Sequence, residues 1–197
     1  MGDSFCLCRK HGSFDRAVRF IETELSGAWI IESQRLTDPR GFFARTWCSE
    51  EFTTRGLAGT IAQTSISFNH RRGTIRGLHY QVQPYKEAKV VRCIFGAAFD
   101  VIVDLRRDSS TFGRWQAVEL TASNDRALYL PEGFGHGFQT LEDNTELLYY
   151  TFEFYHPECA RGVIWSDATL GIRWPVESPI VSERDQALPT LALAELP

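Results

Sequence analysis

Two-residue alternation restricts the fold of this chain more than any other feature. In FDVIVDL, Phe99, Val101, Val103 and Leu105 face one way while Asp100 and Asp104 face the other. That is the period of a β-strand, whose successive side chains point to opposite faces. In LLYYTFEFY, Leu148, Tyr150, Phe152 and Phe154 share one face, and Tyr149, Thr151, Glu153 and Tyr155 the other. Clusters of Gly, Asn and Asp (NHRRG, FGAA, RRDSS, SND, LEDN) end such runs, because these residues accept turn geometry. Helix signals are few. SEEFTTRGL offers Ser49 as an N-cap, acidic residues in a first turn and Gly56 as a stop, and the tail after Pro179 carries another short helical turn. Many short, regularly spaced strands predict an all-β antiparallel sandwich or barrel with short flanking helices.

A chain of 197 residues suits one domain. Residues 1–20 read as an N-terminal extension and 21–197 as a single domain opening near IETELSGAWIIES. The hydrophobic share of 43% supplies a sizeable core. A net charge of -4 excludes a general nucleic-acid binder, since no basic surplus exists to neutralise a phosphate backbone. Local arginines can still hold the phosphates of a small ligand. No apolar run approaches the ~20 residues of a membrane span, and the N-terminus lacks the apolar stretch of a secretory signal. Five cysteines, an odd number without framework spacing, predict a reduced, cytoplasmic protein.

Three segments carry chemistry: GTIRGLHYQVQPYKEAKVVRCIFG, LPEGFGHGFQTL and ELLYYTFEFY. The first resembles the first cupin motif, in which a glycine, His-x-His, a glutamate and a closing glycine build a metal site. Gly73 precedes His79 by six positions and Gly96 closes the motif, but Gln81 replaces the second histidine and Lys89 the glutamate. The second segment keeps Pro131, Gly133 and His136 of the second cupin motif. A cupin metal wants three or four N/O ligands; Gln81 is a poor ligand and an ammonium repels a dication. The expectation is therefore no catalytic metal and no cofactor. A histidine beside a lysine suits proton abstraction next to a carbonyl, with imidazole as base and ammonium against the enolate oxygen. Tyr149, on the polar face of its strand, is the candidate acid from the opposite side.

RGLHYQ, KVVRC, FDVIVDLR, STFGRW, LPEGFGHGF, WSDATLGIRWP and SERD together resemble the dTDP-4-dehydrorhamnose 3,5-epimerase family over residues 21–190. The resemblance implies a cupin-type jelly roll (double-stranded β-helix), a homodimer, and a nucleotide-linked 4-keto-6-deoxyhexose as substrate. It places His79 as catalytic base, Asp185 as its orienter, Lys89 at the C4 oxygen and Tyr149 as proton donor. Arg40, Gln63, Arg76 and His136 match substrate-binding positions, Arg184 a phosphate-side position, and Tyr155 lines the site. Arg45, Ser65 and Ala160 depart from the family pattern on its nucleotide side.

Plainer readings stand beside these. His79 and His136 can each be structural, Lys89 a strand-end charge, and Tyr149 and Tyr155 packing aromatics. Asp100 is a substitute orienter for His79. His11, His70 and His156 read as solvated or turn residues, Arg71–Arg72 and Arg106–Arg107 as exposed loop charges, and Trp115, Trp165 and Trp174 as core or interface. A metal-dependent cupin oxygenase or isomerase and a non-catalytic sugar-nucleotide-binding cupin are the rival functions.

Overall fold

The computed structural model describes residues 18–197; Cys6, Cys8 and His11 lie outside the described residues. Strands β1 (Val18–Glu22), β2 (Trp29–Ser33), β10 (Arg126–Leu130), β7 (Lys89–Phe95), β12 (Thr145–Thr151) and β5 (Gln63–Asn69) form one sheet in that spatial order. The second sheet runs β13 (Ala160–Gly162), β6 (Thr74–Gln81), β11 (Phe134–Thr140), β8 (Ala97–Asp104), β9 (Trp115–Thr121), and β14 (Ile180–Val181) joins β6 in parallel. A separate hairpin, β3 (Arg35–Asp38) with β4 (Gly41–Ala44), pairs with neither sheet. The architecture is an all-β jelly roll. Strand β1 crosses the boundary read at residue 20: Val18 is buried in the core, so the packed part begins before residue 21.

Alternation sorts each strand between an inner and an outer face. Val91, Cys93, Leu128, Leu130 and Leu147 from the first sheet meet Ala98, Ile102, Leu120, Phe134 and Phe138 from the second, forming the interior. The outer face of the first sheet packs Val90, Ala127 and Tyr129 against Phe52 of helix α1 (Ser49–Thr53). The outer face of the second packs Val101, Val103 and Leu105 under Leu170, Leu191 and Ala194 from the C-terminal segment. β8 is therefore buried on both faces. The strand face that carries Asp100 and Asp104 points into the interior rather than to water, and both carboxylates are fully buried. Helix α2 (Glu183–Gln186) follows β14, capped by the Ser182 hydroxyl, which accepts from the Asp185 N–H. Ser49 does not cap α1. Cys48 holds the N-cap position without a side-chain bond, and the Ser49 hydroxyl instead donates to the Gly59 carbonyl at 2.6 Å. No helix among the described residues is long and apolar enough to cross a membrane.

A buried carboxylate needs charge-assisted partners to remain ionised. Asp104 accepts from Arg106 at 2.7 Å and from the hydroxyls of Ser109 and Thr111. Arg106 is thus not a free loop charge. It is drawn back onto the sheet, with its guanidinium 4.7 Å from the Phe134 ring centre. Burial pushes the Asp104 carboxyl up, but Arg106, Ser109 and Thr111 outweigh it and hold it at about 2. A folded-state value below the ordinary one adds stability above pH ~4 that is lost as pH falls toward about 2, a contribution of about 2 kcal/mol at neutral pH. Asp104→Asn is expected to lose roughly this amount in urea melts at pH 7. Its deficit against the wild type narrows as the pH is lowered from 4 toward 2.

Candidate active site

One side of the interior is polar. Beneath β5, β12 and β7, and facing β6, lies a cavity of about 370 Å³ lined by Gln63, Ser65, His79, Lys89, Tyr149 and Thr151, with Tyr155 and Arg184 among its outer residues. These inward side chains follow from the strand period. Lys89, Val91 and Cys93 alternate along β7, so the same face that is apolar in mid-strand turns cationic where the strand begins.

His79 Nε2 lies 2.8 Å from Asp185 Oδ1. An ionised carboxylate only accepts, so Nε2 carries the proton and the lone pair falls on Nδ1. The second Asp185 oxygen accepts the Gly77 backbone N–H at 3.1 Å, which fixes the carboxylate against the strand bearing His79. Burial works to raise the Asp185 carboxyl. The bond and charge of His79, the Gly77 N–H and the Arg184 charge prevail and hold it below the usual carboxylate range. The contact with Asp185 excludes Asp100 as the orienter of His79: Asp100 lies 2.9 Å from His136 instead.

His136 is correspondingly not a lining residue of the cavity. It is buried behind Tyr149, edge to face at 5.9 Å between ring centres. Arg76 also stays off the lining, with its Nε donating to Asn69 Oδ1 at 2.8 Å, but its charge reaches Tyr149. Burial, reinforced by the Asp100 carboxylate and opposed by Arg76, raises the Tyr149 phenol well above its usual value. Tyr149 is therefore a neutral O–H at ordinary pH, able to donate a proton but not to serve as a resting base.

A sequence model of the family described as dTDP-4-dehydrorhamnose 3,5-epimerase matches residues 22–193. A Shigella flexneri dTDP-4-dehydrorhamnose 3,5-epimerase is 43% identical over 84% of this chain and 91% of its own. The crystal structure of the Bacillus anthracis dTDP-4-dehydrorhamnose 3,5-epimerase with TDP and PPi bound aligns at a TM-score of 0.86 and 41% identity, covering 88% of this chain and 99% of that one. A 3'-monoepimerase from Streptomyces bikiniensis in complex with dTDP-quinovose aligns at 0.80 and 37% identity, covering 86% of each chain. The chain belongs to the dTDP-4-dehydrorhamnose 3,5-epimerase family. As a member of that family it is an isomerase.

Of the candidate site residues read from the sequence, His79, Lys89, Tyr149, Gln63, Tyr155 and Arg184 line one cavity and Asp185 stands directly behind it. Arg40 does not join them. Its side chain is 90% exposed at the tip of the β3–β4 hairpin and pairs with Asp38 at 2.6 Å. Arg45 pairs with Glu51 outside the cavity, whereas Ser65 and Ala160 line it.

Two lining residues have functions in the fold that the motif comparison overlooked. Gln81 is buried; its amide donates to the Tyr85 and Phe154 carbonyls, and its oxygen accepts the His156 N–H at 2.6 Å. His156 is correspondingly a packed residue, stacked on Tyr85 with ring centres 3.5 Å apart. Glu87 lies 2.7 Å from the Lys89 ammonium. The KEAK spacing held a signal for this, because residues two apart in extended chain share a side. Among the described residues, no three His, Cys, Asp or Glu side chains gather to hold a metal ion.

The close approach of β6 to β11 depends on Gly77, which has φ +119°. A Cβ there would lie 2.6 Å from the Gly137 Cα and 2.7 Å from the His136 carbonyl oxygen. Both neighbours are backbone and cannot swing aside. Gly77→Ala is expected to cost roughly 3 kcal/mol from positive-φ strain and overpacking together. Thermal melts check the loss, and the two-dimensional imidazole NMR spectrum should show His79 displaced from Asp185.

Proposed function

We propose that this isomerase inverts a carbon adjacent to the ketone of a dTDP-linked 4-keto-6-deoxyhexose. The observation that carries this reading is the convergence on one cavity of an oriented imidazole, a cation and a neutral phenol. The C4 ketone acidifies C3–H and C5–H. His79 Nδ1 takes the proton, with the imidazolium stabilised by Asp185, and the ammonium of Lys89 faces the enolate oxygen. Tyr149 returns a proton from the other side. The turnover leaves His79 as imidazolium and Tyr149 as phenolate, and solvent relays the proton from the one to the other and resets both groups. Gln63, Tyr155 and Arg184 hold the nucleoside and diphosphate side, where a guanidinium matches phosphate oxygens.

Solvent exchange tests the reading. In D2O with dTDP-4-keto-6-deoxyglucose, the wild-type chain is expected to place deuterium at the inverted carbon. Label at both C3 and C5 identifies a double epimerisation, and label at C3 alone a single one. His79→Ala should slow exchange by roughly 10³-fold, the size of a general-base contribution. Tyr149→Phe should still exchange protons through His79 but form little inverted product. Absence of label in the wild-type chain would sink the proposal.

We also propose a homodimer working in the cytoplasm. The β3–β4 hairpin exposes Leu36, Phe42 and Phe43, and β5, an edge strand, exposes Ile66 and Phe68. Exposed apolar side chains of this kind suit an interface, and a second copy seated on them would give Arg40 a place at its neighbour's cavity. The described cysteines, Cys48, Cys93 and Cys159, are free thiols, which supports a reducing compartment. In light-scattering chromatography the wild type is expected at twice the chain mass. The Phe42→Glu, Phe43→Glu double variant is expected at the chain mass with a raised KM.

A further inference from the structure

The Lys89 ammonium is not left to itself in the cavity. Its side chain and that of Glu87 are 11% and 9% exposed, and they meet at 2.7 Å. Both line the cavity that holds His79 and Tyr149. Between them Ala88 turns outward into the cluster around Phe52, so Glu87 and Lys89 emerge on the same side of the chain. The backbone here is pinned. The Phe152 N–H donates to the Ala88 carbonyl at 3.1 Å, extending the β7–β12 ladder past its last register pair, Thr151 with Lys89. Glu87 is thus presented from a fixed frame rather than from a loose loop.

A carboxylate at this point opposes the binding of a diphosphate, by Coulomb repulsion in a partly desolvated space. Among the described lining residues Glu87 is the only carboxylate; the charged others are the cations Lys89, Arg161 and Arg184. Substrate attraction therefore gives no reason for its presence, whereas its contact with Lys89 does. A lysine is a point charge on a flexible four-carbon stem, so an unrestrained ammonium samples many positions and can also turn to the substrate's phosphates.

We infer that Glu87 is a positioning residue that takes one N–H of Lys89 and thereby aims the remaining two at the enolate oxygen beside His79. It also withholds Lys89 from the diphosphate and leaves that group to the arginine side of the cavity. The inference rests on the epimerase reading above, and it assigns Glu87 no contact with the reacting carbons.

The test compares wild type, Glu87→Ala and Glu87→Gln by steady-state epimerisation with D2O exchange, and by calorimetric binding of dTDP. Glu87→Ala is expected to lower kcat by about 10- to 100-fold, the size of a misplaced catalytic group, while dTDP affinity rises, because the repelling carboxylate is gone and Lys89 is free to reach the phosphates. Glu87→Gln is expected to recover most of that loss, because its amide oxygen accepts the same hydrogen bond. Should the alanine variant fail to fold, Glu87→Met keeps the volume without the acceptor and takes its place. An unchanged kcat in the acceptor-free variant, an equal fall in dTDP affinity, or a glutamine variant as slow as alanine overturns the inference. No exchange in the wild-type chain overturns the epimerase reading and this inference together, while the other outcomes strike the inference alone.

Discussion

The bond between His79 and Asp185 ties the end of the chain to the middle of the sandwich, and the arrangement of the polar half depends on it. Asp185 sits on a single helical turn that exists because β14 runs parallel to β6 and delivers the Ser182 cap to the right place. The carboxylate then reads two groups of β6 at once, the His79 ring and the Gly77 amide. A histidine so held has one tautomer and one free nitrogen. Without that tie, the half-buried imidazole at the cavity wall would have freedom of rotation and of proton placement, and no defined direction from which to take a proton.

The interior between the two sheets is divided rather than uniform. Toward β9 and β10 it is filled by Phe134, Phe138, Leu120 and Leu128. Toward β6, β7 and β12 polar side chains meet in pairs: His79 with Asp185, His136 with Asp100, Lys89 with Glu87. The apolar half gives the sheets their separation and rigidity, and the polar half borrows that rigidity to keep its groups in place. Tyr149 stands at the junction, packed against the apolar cluster while its ring also meets His136.

Much of this was legible in the sequence. The period-two pattern of β8 and β12 marks strands and sets Tyr149 with Thr151 on one polar face; that this face turns inward follows from packing on both sides of each sheet. The cupin-like spacing singles out His79 and His136, and the structure makes them register partners on adjacent strands. Other features depend on contacts far apart in the chain. Nothing local distinguishes Asp185 from Asp100 as the partner of His79, because the choice follows from β14 docking beside β6. His136 reads as a ligand-facing residue in PEGFGHGF, yet its ring is spent on Asp100 and shielded by Tyr149. Arg106 reads as a loop charge until the buried Asp104 calls for a cation. Arg40 belongs to a hairpin that leaves the body of the chain, so its position in sequence says little about what it meets.

Gln81 stands where metal-binding barrels of similar pattern carry their second histidine, and its amide is fully committed. It fastens the segment at Tyr85 to the segment from Phe154 to His156, the two stretches that frame the cavity mouth beside Tyr155. Putting an imidazole there would therefore not simply reinstate an ion. A ring with two nitrogens cannot serve three backbone groups lying in different directions, so the rim would come unbuttoned before any metal arrived. A second metal ligand is excluded at this position by the architecture of the doorway, independently of the amine across the chamber.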